Sequence, residues 1–303
     1  MTFVQGPVRV TVPATSANLG PGFDALGLAL SMRDELTAEV TGGGIHVEVT
    51  GEGADDCPRD ASHLVVHSML AAFDLLGGPP AGITLTCHNR IPHGRGLGSS
   101  SAAIVAGVSL ARALVGGGSL LVDDDRLFGL AAGIEGHPDN VAPAFHGGLV
   151  ISGREDGRFF AVPAVVDPRV TVVVFVPPVA LATTVARGLL PATVPHLDAA
   201  ANAGRAALLV AALAGHPEHL LLATRDYLHQ DYRAPAMPAS AELVRSLRDD
   251  GVPAVISGAG PTVLAFCDGP ACTPGSAEVL LERCPGGWVV RHLEVERAGV
   301  LVG

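Results

Sequence analysis

The sequence predicts a two-domain protein in which both domains combine β-strands and α-helices. A chain of 303 residues can bury a full core and exceeds the usual size of one domain. Alternating apolar and polar residues, as in 83–88, indicate strands, and apolar runs such as 102–115 indicate buried helices. The proline-bounded stretch 163–168 then marks the passage from a first domain, residues 1–165, to a second domain, residues 166–303.

The individual elements follow from the same patterns in chain order. In the first domain we expect a strand at 8–12, a loop at 13–27, two strands within 34–50, a polar loop at 51–62, a helix at 63–76, a strand at 83–88, helices at 102–115 and 127–134, and a hairpin at 149–160. In the second domain we expect a strand at 170–176, helices at 196–214, 218–228 and 239–250, and strands at 252–256, 263–267 and 288–295.

Composition and charge exclude several classes of function. The formal net charge of −11 argues against non-specific binding to nucleic acid or to an anionic membrane surface. The apolar runs are interrupted by glycine, proline or charge, and no cationic leader precedes them, so we expect neither a membrane span nor a signal peptide. The scattered cysteines have no metal-site spacing and form no disulfide framework: Cys57, Cys87, Cys267, Cys272 and Cys284. We therefore expect a cytoplasmic enzyme with no nucleic-acid or membrane partner.

A glycine-rich segment between the predicted strand 83–88 and the predicted helix 102–115 indicates a phosphate site. Its residues are Ile91, Pro92, His93, Gly94, Arg95, Gly96, Leu97, Gly98, Ser99, Ser100 and Ser101. Glycines let backbone N–H groups approach a ligand, and a helix start adds unpaired donors and the positive end of the helix dipole. A turn with a serine cap is the simpler alternative, but three alternating glycines and three serines exceed what capping needs.

Two familiar phosphate motifs do not fit this segment. A P-loop requires Gly-Lys-Ser/Thr, and all 19 basic residues of this chain are arginine. A dinucleotide fingerprint requires Gly-x-Gly-x-x-Gly, which the spacing here does not match. The segment instead resembles the nucleotide loop of the GHMP kinases, Pro-x-x-x-Gly-Leu-Gly-Ser-Ser, which Pro92 and residues 96–100 match.

Two more segments resemble the homoserine kinases, a branch of the GHMP family. Residues 13–24 match Pro-x-Thr-Ser-Ala-Asn-Leu-Gly-x-Gly-Phe-Asp, and residues 137–143 match His-x-Asp-Asn-Val-Ala-Pro. From the residues alone, Asn18 and Asp24 suit turn caps and substrate ligands equally well. A zinc site at His137 is disfavoured because no second His or Cys pair has suitable spacing, whereas Mg²⁺ needs only one or two protein oxygens beside the ATP phosphates.

The resemblance implies a role for each candidate residue. It assigns residues 91–101 to ATP, Ser100 and Glu135 to Mg²⁺, Asn18, Asp24 and His137 to the substrate, Arg187 and Arg233 to the substrate carboxylate, and catalytic positions to Asn18, His137 and Asn140. Glu135 lies two residues before His137, whereas some homoserine kinases place this acid eight residues before the histidine. Asn140 stands where other GHMP kinases have a catalytic aspartate, so no general base is evident, and Asp139 is expected to be structural.

The resemblance also implies a fold and a reaction. The fold is α+β in two domains, the first like domain 2 of ribosomal protein S5 and the second ferredoxin-like, with the active site between them. The reaction transfers the γ-phosphate of ATP to L-homoserine, a step toward threonine, and a homodimer is compatible with the sequence. One alternative is a GHMP kinase for mevalonate or a sugar, which the first motif and the two arginines disfavour. The other is a non-catalytic nucleotide-binding regulator, which Glu135 and the serines disfavour.

Overall fold

A seven-stranded sheet dominates the first half of the protein. The computed structural model describes residues 2–267 and 276–303, so Cys272 lies outside the described residues. The strands of this sheet are β1 (Val8–Asn18), β2 (Gly22–Thr41), β3 (Gly44–Gly51), β4 (Gly82–Asn89), β5 (Leu149–Glu155), β6 (Arg158–Ala164) and β11 (Leu301–Val302). They lie in the order β11-β1-β2-β4-β3, and β5 pairs with both β2 and β6. The pairing of β3 with β4 is parallel, with a helix in the connection between them.

The helices of the first half pack around one buried apolar helix. They are α1 (Leu64–Leu76), α2 (Ser99–Leu114), α3 (Gly118–Leu121), α4 (Asp124–Glu135) and α5 (Val141–His146). Helix α2 contacts α1, α4, α5 and strand β1, which is why its run of small and branched apolar residues is buried. Asp123 caps α4 by accepting a hydrogen bond from the N–H of Arg126 at 2.9 Å.

The second half is built on a four-stranded antiparallel sheet. Its strands are β7 (Thr171–Val176), β8 (Ala254–Ile256), β9 (Val263–Cys267) and β10 (Val289–Glu294), in the order β10-β7-β9-β8. The α-helices are α6 (Thr183–Gly188), α7 (His196–Gly215), α8 (Leu220–Ala223), α9 (Gln230–Arg233), α10 (Pro238–Asp249) and α11 (Ala277–Glu282). Short 3₁₀ turns span Pro217–His219 and Ala234–Ala236. This strand order, with α10 and α11 packed on the sheet, is the predicted ferredoxin-like arrangement.

The two halves share one buried apolar cluster. Val10 and Leu28 of the larger sheet and Val172 and Phe266 of the smaller sheet belong to the same cluster. The final strand β11 pairs with β1, so the chain returns to the larger sheet after completing the smaller one. The boundary at residues 165 and 166 remains a prediction. Strand β11 follows this boundary in the sequence but belongs to the sheet of the first half.

Two predicted elements are wrong. The predicted loop 13–27 is a hairpin, in which β1 continues to Asn18 and β2 begins at Gly22. Residues 12–18 are buried on both faces, so this strand has no alternating pattern to detect. The predicted helix 218–228 ends at Ala223, because the side chain of Asp226 accepts hydrogen bonds from the N–H groups of the next residues, Leu228, His229 and Gln230.

The sequence predicted no membrane span, and helix α7 is the one described helix that is long and apolar enough to be considered. By length and composition alone, α7 qualifies as a possible span, which is a weak indication for a single helix. Leu209 and Leu213 of this helix pack into the shared core. The Asn202 side chain donates a hydrogen bond to the Pro21 carbonyl at 2.7 Å, which attaches α7 to the hairpin turn of the first motif.

Candidate active site

One cavity of about 120 Å³ brings the three sequence motifs together. The predicted residues that line it are Asn18, Gly94, Gly96, Gly98, Ser99, Ser100, Glu135, His137, Asn140, Arg187 and Arg233. Gly258 and Ala259, in the turn between β8 and β9, complete one wall. The remaining predicted residues do not line this cavity: Asp24, Ile91, Pro92, His93, Arg95, Leu97 and Ser101.

The glycine-rich loop is held in a left-handed backbone conformation at Gly94, Gly96 and Gly98. A Cβ atom on Gly96 would collide with the Ser257 carbonyl, and one on Gly98 would collide with Thr15 Oγ1. Glycine is therefore required for the loop to pack closely against the first motif at Thr15 and against the turn at Ser257. Gly98 is the N-cap of α2 and no serine caps this helix, so the simpler serine-cap alternative is wrong. The N–H groups at the start of α2 thus lack a side-chain cap.

The loop residues that do not line the cavity have other positions. Ile91 and Leu97 are buried in the core and anchor the two ends of the glycine segment. Arg95 donates hydrogen bonds to the carbonyls of Pro177 and Pro178 and so ties the loop to the second half of the chain. These contacts hold the loop rigidly between the two sheets.

The predicted metal ligands lie side by side. Ser100 Oγ donates a hydrogen bond to Glu135 Oε2 at 2.8 Å, and Ser101 Oγ donates to Glu135 Oε1 at 2.9 Å. Glu135 is the last residue of α4, so the helix end brings its carboxylate to the start of α2. Hydroxyl and carboxylate oxygens are the donors that Mg²⁺ prefers, and the described residues contain no group of three or more His, Cys, Asp or Glu side chains arranged for a metal.

Another wall of the cavity contains a histidine–aspartate pair beside Asn140. His137 Nδ1 lies 2.6 Å from Asp139 Oδ1, and Asp139 is almost fully buried. Burial alone would lower the pKa of His137, but the hydrogen bond and charge of Asp139 outweigh it and raise the pKa. Asn140 Oδ1 accepts a hydrogen bond from Thr15 Oγ1 at 2.8 Å, which leaves its Nδ2 donors for another partner. Asp139 also accepts a hydrogen bond from the N–H of Asn140 at 2.9 Å, and its structural role remains a prediction.

Asn18 joins the first motif to the turn that contains Gly258, between β8 and β9. Its Nδ2 donates to the Gly258 carbonyl at 2.9 Å, and its Oδ1 accepts from the N–H of Asp24 at 3.0 Å. Asn18, Leu19 and Asp24 all adopt positive φ angles, which is uncommon for residues other than glycine and is concentrated at functional sites. The amide of Asn18 is thus largely committed to holding this turn in place.

The two predicted carboxylate-binding arginines have different surroundings. Arg187 forms a two-fold hydrogen bond with Asp24, at 2.7 and 3.1 Å, and both side chains are partly exposed. The hydrogen bond with Asp24 raises the pKa of Arg187. Arg233 is 1% exposed, and no carboxylate in the described residues lies within ion-pair distance of it. Burial and the neighbouring Arg187 charge lower the pKa of Arg233.

This architecture matches two known domain families in order along the chain. The model of the GHMP kinases N terminal domain matches residues 63–148, and the model of the GHMP kinases C terminal domain matches residues 199–272. The chain belongs to the GHMP kinase family.

Relatives of this GHMP kinase align with it over nearly its full length. The homoserine kinase of Streptomyces avermitilis is 55% identical over 300 residues, which cover 99% of this chain and 97% of that protein. The crystal structure of homoserine kinase from Cytophaga hutchinsonii superposes with a TM-score of 0.86 at 26% identity, covering 100% of both chains. The L. major mevalonate kinase structure has a TM-score of 0.70 at 16% identity, covering 98% of this chain and 99% of that one, so the fold is shared with a kinase of another substrate.

Sequence reasoning missed a second cavity in this GHMP kinase, next to the phosphate loop. It measures about 300 Å³, and Cys57, His63, His93, Ser99 and Ser100 contribute to its walls. Burial lowers the pKa of both histidines and raises the pKa of the Cys57 thiol, which favours the uncharged forms. No local motif marks this cavity, because it forms where the polar loop 51–62 folds back onto the glycine segment.

Proposed function

We propose that this GHMP kinase transfers the γ-phosphate of ATP to the hydroxyl of L-homoserine, giving O-phospho-L-homoserine on the route to threonine. The observation that carries the proposal is that the glycine loop lines one cavity with the guanidinium of Arg233, which has no ion-pair partner among the described residues. The loop suits the phosphates of ATP, and a buried guanidinium suits a substrate carboxylate. The 55% identity to a homoserine kinase supports the same substrate.

The nucleotide would extend from one cavity into the other. Ser99 and Ser100 line both cavities, so a phosphate chain on the loop is adjacent to the second cavity. That space is lined partly by apolar side chains, including Leu64 and Ala103, which suits the planar base. Backbone N–H groups of the loop and of the first turn of α2 would bind the phosphate oxygens.

The oxygens of Ser100 and Glu135 fit a magnesium ion that accompanies ATP. Glu135 already accepts hydrogen bonds from Ser100 and from the neighbouring Ser101. When bound, the ion neutralises charge on the triphosphate. Ser101 would keep its hydrogen bond to Glu135 and so hold the carboxylate in place.

The other end of the cavity would hold the amino acid. Arg233 and Arg187 would bind its carboxylate and Asp24 its ammonium, while His137 and the free Nδ2 donors of Asn140 lie beside the path of the hydroxyl. Phosphoryl transfer depends mainly on positioning and charge stabilisation, so these contacts would supply most of the catalysis. The hydroxyl proton would leave to the transferred phosphate or to water.

Location and partners follow from the same proposal. The net charge of −11 supports a small-molecule enzyme without a nucleic-acid or membrane partner. A cytoplasmic location and a homodimer remain predictions.

A comparison of acceptors tests the proposed substrate. Phosphate transfer from ATP should be fastest with homoserine, and slower with serine, threonine and mevalonate. Serine has a shorter side chain, threonine has a secondary hydroxyl, and mevalonate has a carboxylate but no amine. Faster transfer to mevalonate would favour the kinase alternative, and ATP binding without transfer to any acceptor would favour the regulator.

A further inference from the structure

Arg233 is a buried cation surrounded by neutral acceptors. Its Nε lies 3.3 Å from the Ala186 carbonyl, and its Nη1 lies 3.3 Å from both the Gly258 carbonyl and His229 Nδ1. Its Nη2 forms no hydrogen bond among the described residues. Three neutral acceptors thus hold one side of the guanidinium, and Nη2 remains for a ligand.

The hydrogen bonds of His229 determine where its proton lies. His229 is fully buried, and its Nε2 lies 2.8 Å from the Gly20 carbonyl. A carbonyl oxygen can only accept, so Nε2 carries the hydrogen. A guanidinium can only donate, so Nδ1 accepts from Arg233 Nη1 through a lone pair that an imidazolium does not have.

The charged neighbours of His229 are consistent with a neutral ring. Asp226 Oδ2 lies 3.6 Å from Nε2, and Arg233 lies on the opposite side of the ring. Burial and the charge of Arg233 lower the pKa of His229, against the opposing influence of Asp226 and Asp24. The Asp226 carboxylate is occupied by the N–H groups of Leu228, His229 and Gln230, which fixes the backbone that presents the imidazole.

We propose that His229 is a positioning residue that orients Arg233 for the substrate carboxylate without neutralising it. This inference rests on the proposed function. A carboxylate at position 229 would also orient the guanidinium, but it would form an ion pair and compete with the substrate. A neutral imidazole, fixed in one tautomer by the Gly20 carbonyl, supplies the hydrogen bond and leaves the positive charge available.

Phe23 completes the support of the guanidinium. Its ring lies 5.2 Å from the His229 ring, 5.4 Å from the Arg233 Cζ atom and 5.8 Å from the Arg187 Cζ atom. One aromatic ring therefore contacts both arginines, and the attraction between cations and its π-electrons offsets part of their mutual repulsion. Phe23 and Gly20 belong to the first motif, so the hairpin turn and α9 together place Arg233.

Kinetics of His229 variants test this role. His229→Leu removes the acceptor and should raise KM for homoserine roughly 10-fold or more, with KM for ATP unchanged. His229→Glu should raise it at least as much by pairing with Arg233, whereas His229→Gln retains a neutral acceptor and should recover most of the affinity. The exposed His219→Leu is the matched control. For 3-aminopropanol, which is homoserine without its carboxylate, none of the variants should change kcat/KM.

Two outcomes of these kinetics would overturn the proposal. The first is a wild-type homoserine KM in His229→Leu. The second is an equal loss of kcat/KM for homoserine and 3-aminopropanol, which would indicate general structural damage.

A spectroscopic measurement on the wild-type protein decides the point without any substrate. The side-chain ¹⁵N shifts of His229 should show the neutral Nε2–H tautomer from about pH 6 to pH 8. An imidazolium or an Nδ1–H tautomer would overturn the proposal. If wild type phosphorylates no homoserine, the proposed function fails, while the tautomer still establishes whether His229 acts as the acceptor for Arg233.

Discussion

The carboxylate of Asp24 accepts hydrogen bonds from both terminal nitrogens of Arg187, at 2.7 and 3.1 Å. The family resemblance assigned Asp24 to the substrate and Arg187 to the substrate carboxylate, and in the structure these two side chains bind each other. A zwitterion can replace this pair charge for charge, with its ammonium on Asp24 and its carboxylate on Arg187. Arg233 has no such internal partner in the described part of the chain, so we expect it to contribute more to substrate affinity.

Arg233→Ala should lower kcat/KM for homoserine roughly 30-fold or more, because truncating one side of a buried charge pair typically costs about 2–5 kcal/mol. Arg187→Ala should lower kcat/KM by less, because in wild type the substrate has to separate Arg187 from Asp24 before its carboxylate can bind Arg187. Lysine at position 233 should restore only part of the loss, since an ammonium cannot reproduce the two parallel bonds of a guanidinium.

Steady-state kinetics with homoserine and ATP check this prediction. KM for ATP should stay constant, and the exposed Arg245→Ala on α10 should behave as wild type. Wild-type homoserine kinetics in both cavity variants would remove the carboxylate site and strengthen the mevalonate or sugar kinase alternative.

Glu135→Gln should weaken the magnesium dependence of turnover, because a neutral amide is a poor ligand for a hard cation. The amide oxygen can accept from one serine and the amide NH₂ can donate to the hydroxyl of the other, so the fold of this corner should be preserved. A magnesium titration of the transfer rate measures the effect, with Asp125→Asn at the other end of α4 as the control. An unchanged titration curve would assign the metal to other ligands.

Gly98→Ala should abolish detectable ATP binding. The new Cβ would meet Thr15 Oγ1, which also holds Asn140, at a φ of +69° that L-residues rarely adopt. Gly157→Ala is the matched control, because its φ is +79° but the space around it is open. Both variants should lose about 1–2 kcal/mol of stability from the backbone conformation, and only Gly98→Ala should lose nucleotide in calorimetry. Equal ATP affinity in the two variants would disprove the loop assignment.

Asp34→Asn should stabilise the protein above neutral pH. Burial raises the pKa of Asp34 from 3.8 to about 6, although its Oδ1 accepts hydrogen bonds from the N–H groups of Arg90 and Ile91. The folded chain therefore binds this proton more tightly than the unfolded chain does. The associated stability is complete below the unfolded pKa and is lost as pH rises through 6.

Asparagine keeps both hydrogen bonds through Oδ1 and carries no charge. The free energy of unfolding of the variant should exceed that of wild type by up to about 3 kcal/mol at pH 8. This difference should disappear as pH falls toward about 4. Urea unfolding across this range measures the difference, with the exposed Asp74→Asn as the control. A constant gap would show that Asp34 does not titrate in this way.

The glycine loop was predictable from the sequence because its signals are local. The alternating strand before it, the apolar helix after it and the glycines at every second position each appear within a short window. The structure places the loop between β4 and α2, as expected. Glu135 was predictable only through resemblance, since its contact with Ser100 joins residues 35 positions apart.

The hairpin at residues 8–41 and the role of His229 were not predictable in this way. Strand β1 is buried on both faces from Val12 onward, so its small and polar residues show no period. Arg233 and His229 look like surface residues in isolation, because burial depends on elements far away in sequence, such as the turn at Gly20. The helix predicted over 218–228 fails for a related reason, since one aspartate side chain satisfies the backbone donors instead.

The buried guanidinium of Arg233 has opposite effects on stability and on activity. Arg233 has no counter-charge within ion-pair distance in the described part of the chain, and such a buried charge lowers the free energy of unfolding. Replacing it with an apolar residue of similar length, as in Arg233→Met, removes that penalty. A laboratory screen that selects only for heat resistance would therefore enrich inactive enzymes altered at this codon. Directed evolution of this protein has to select for turnover and heat resistance together.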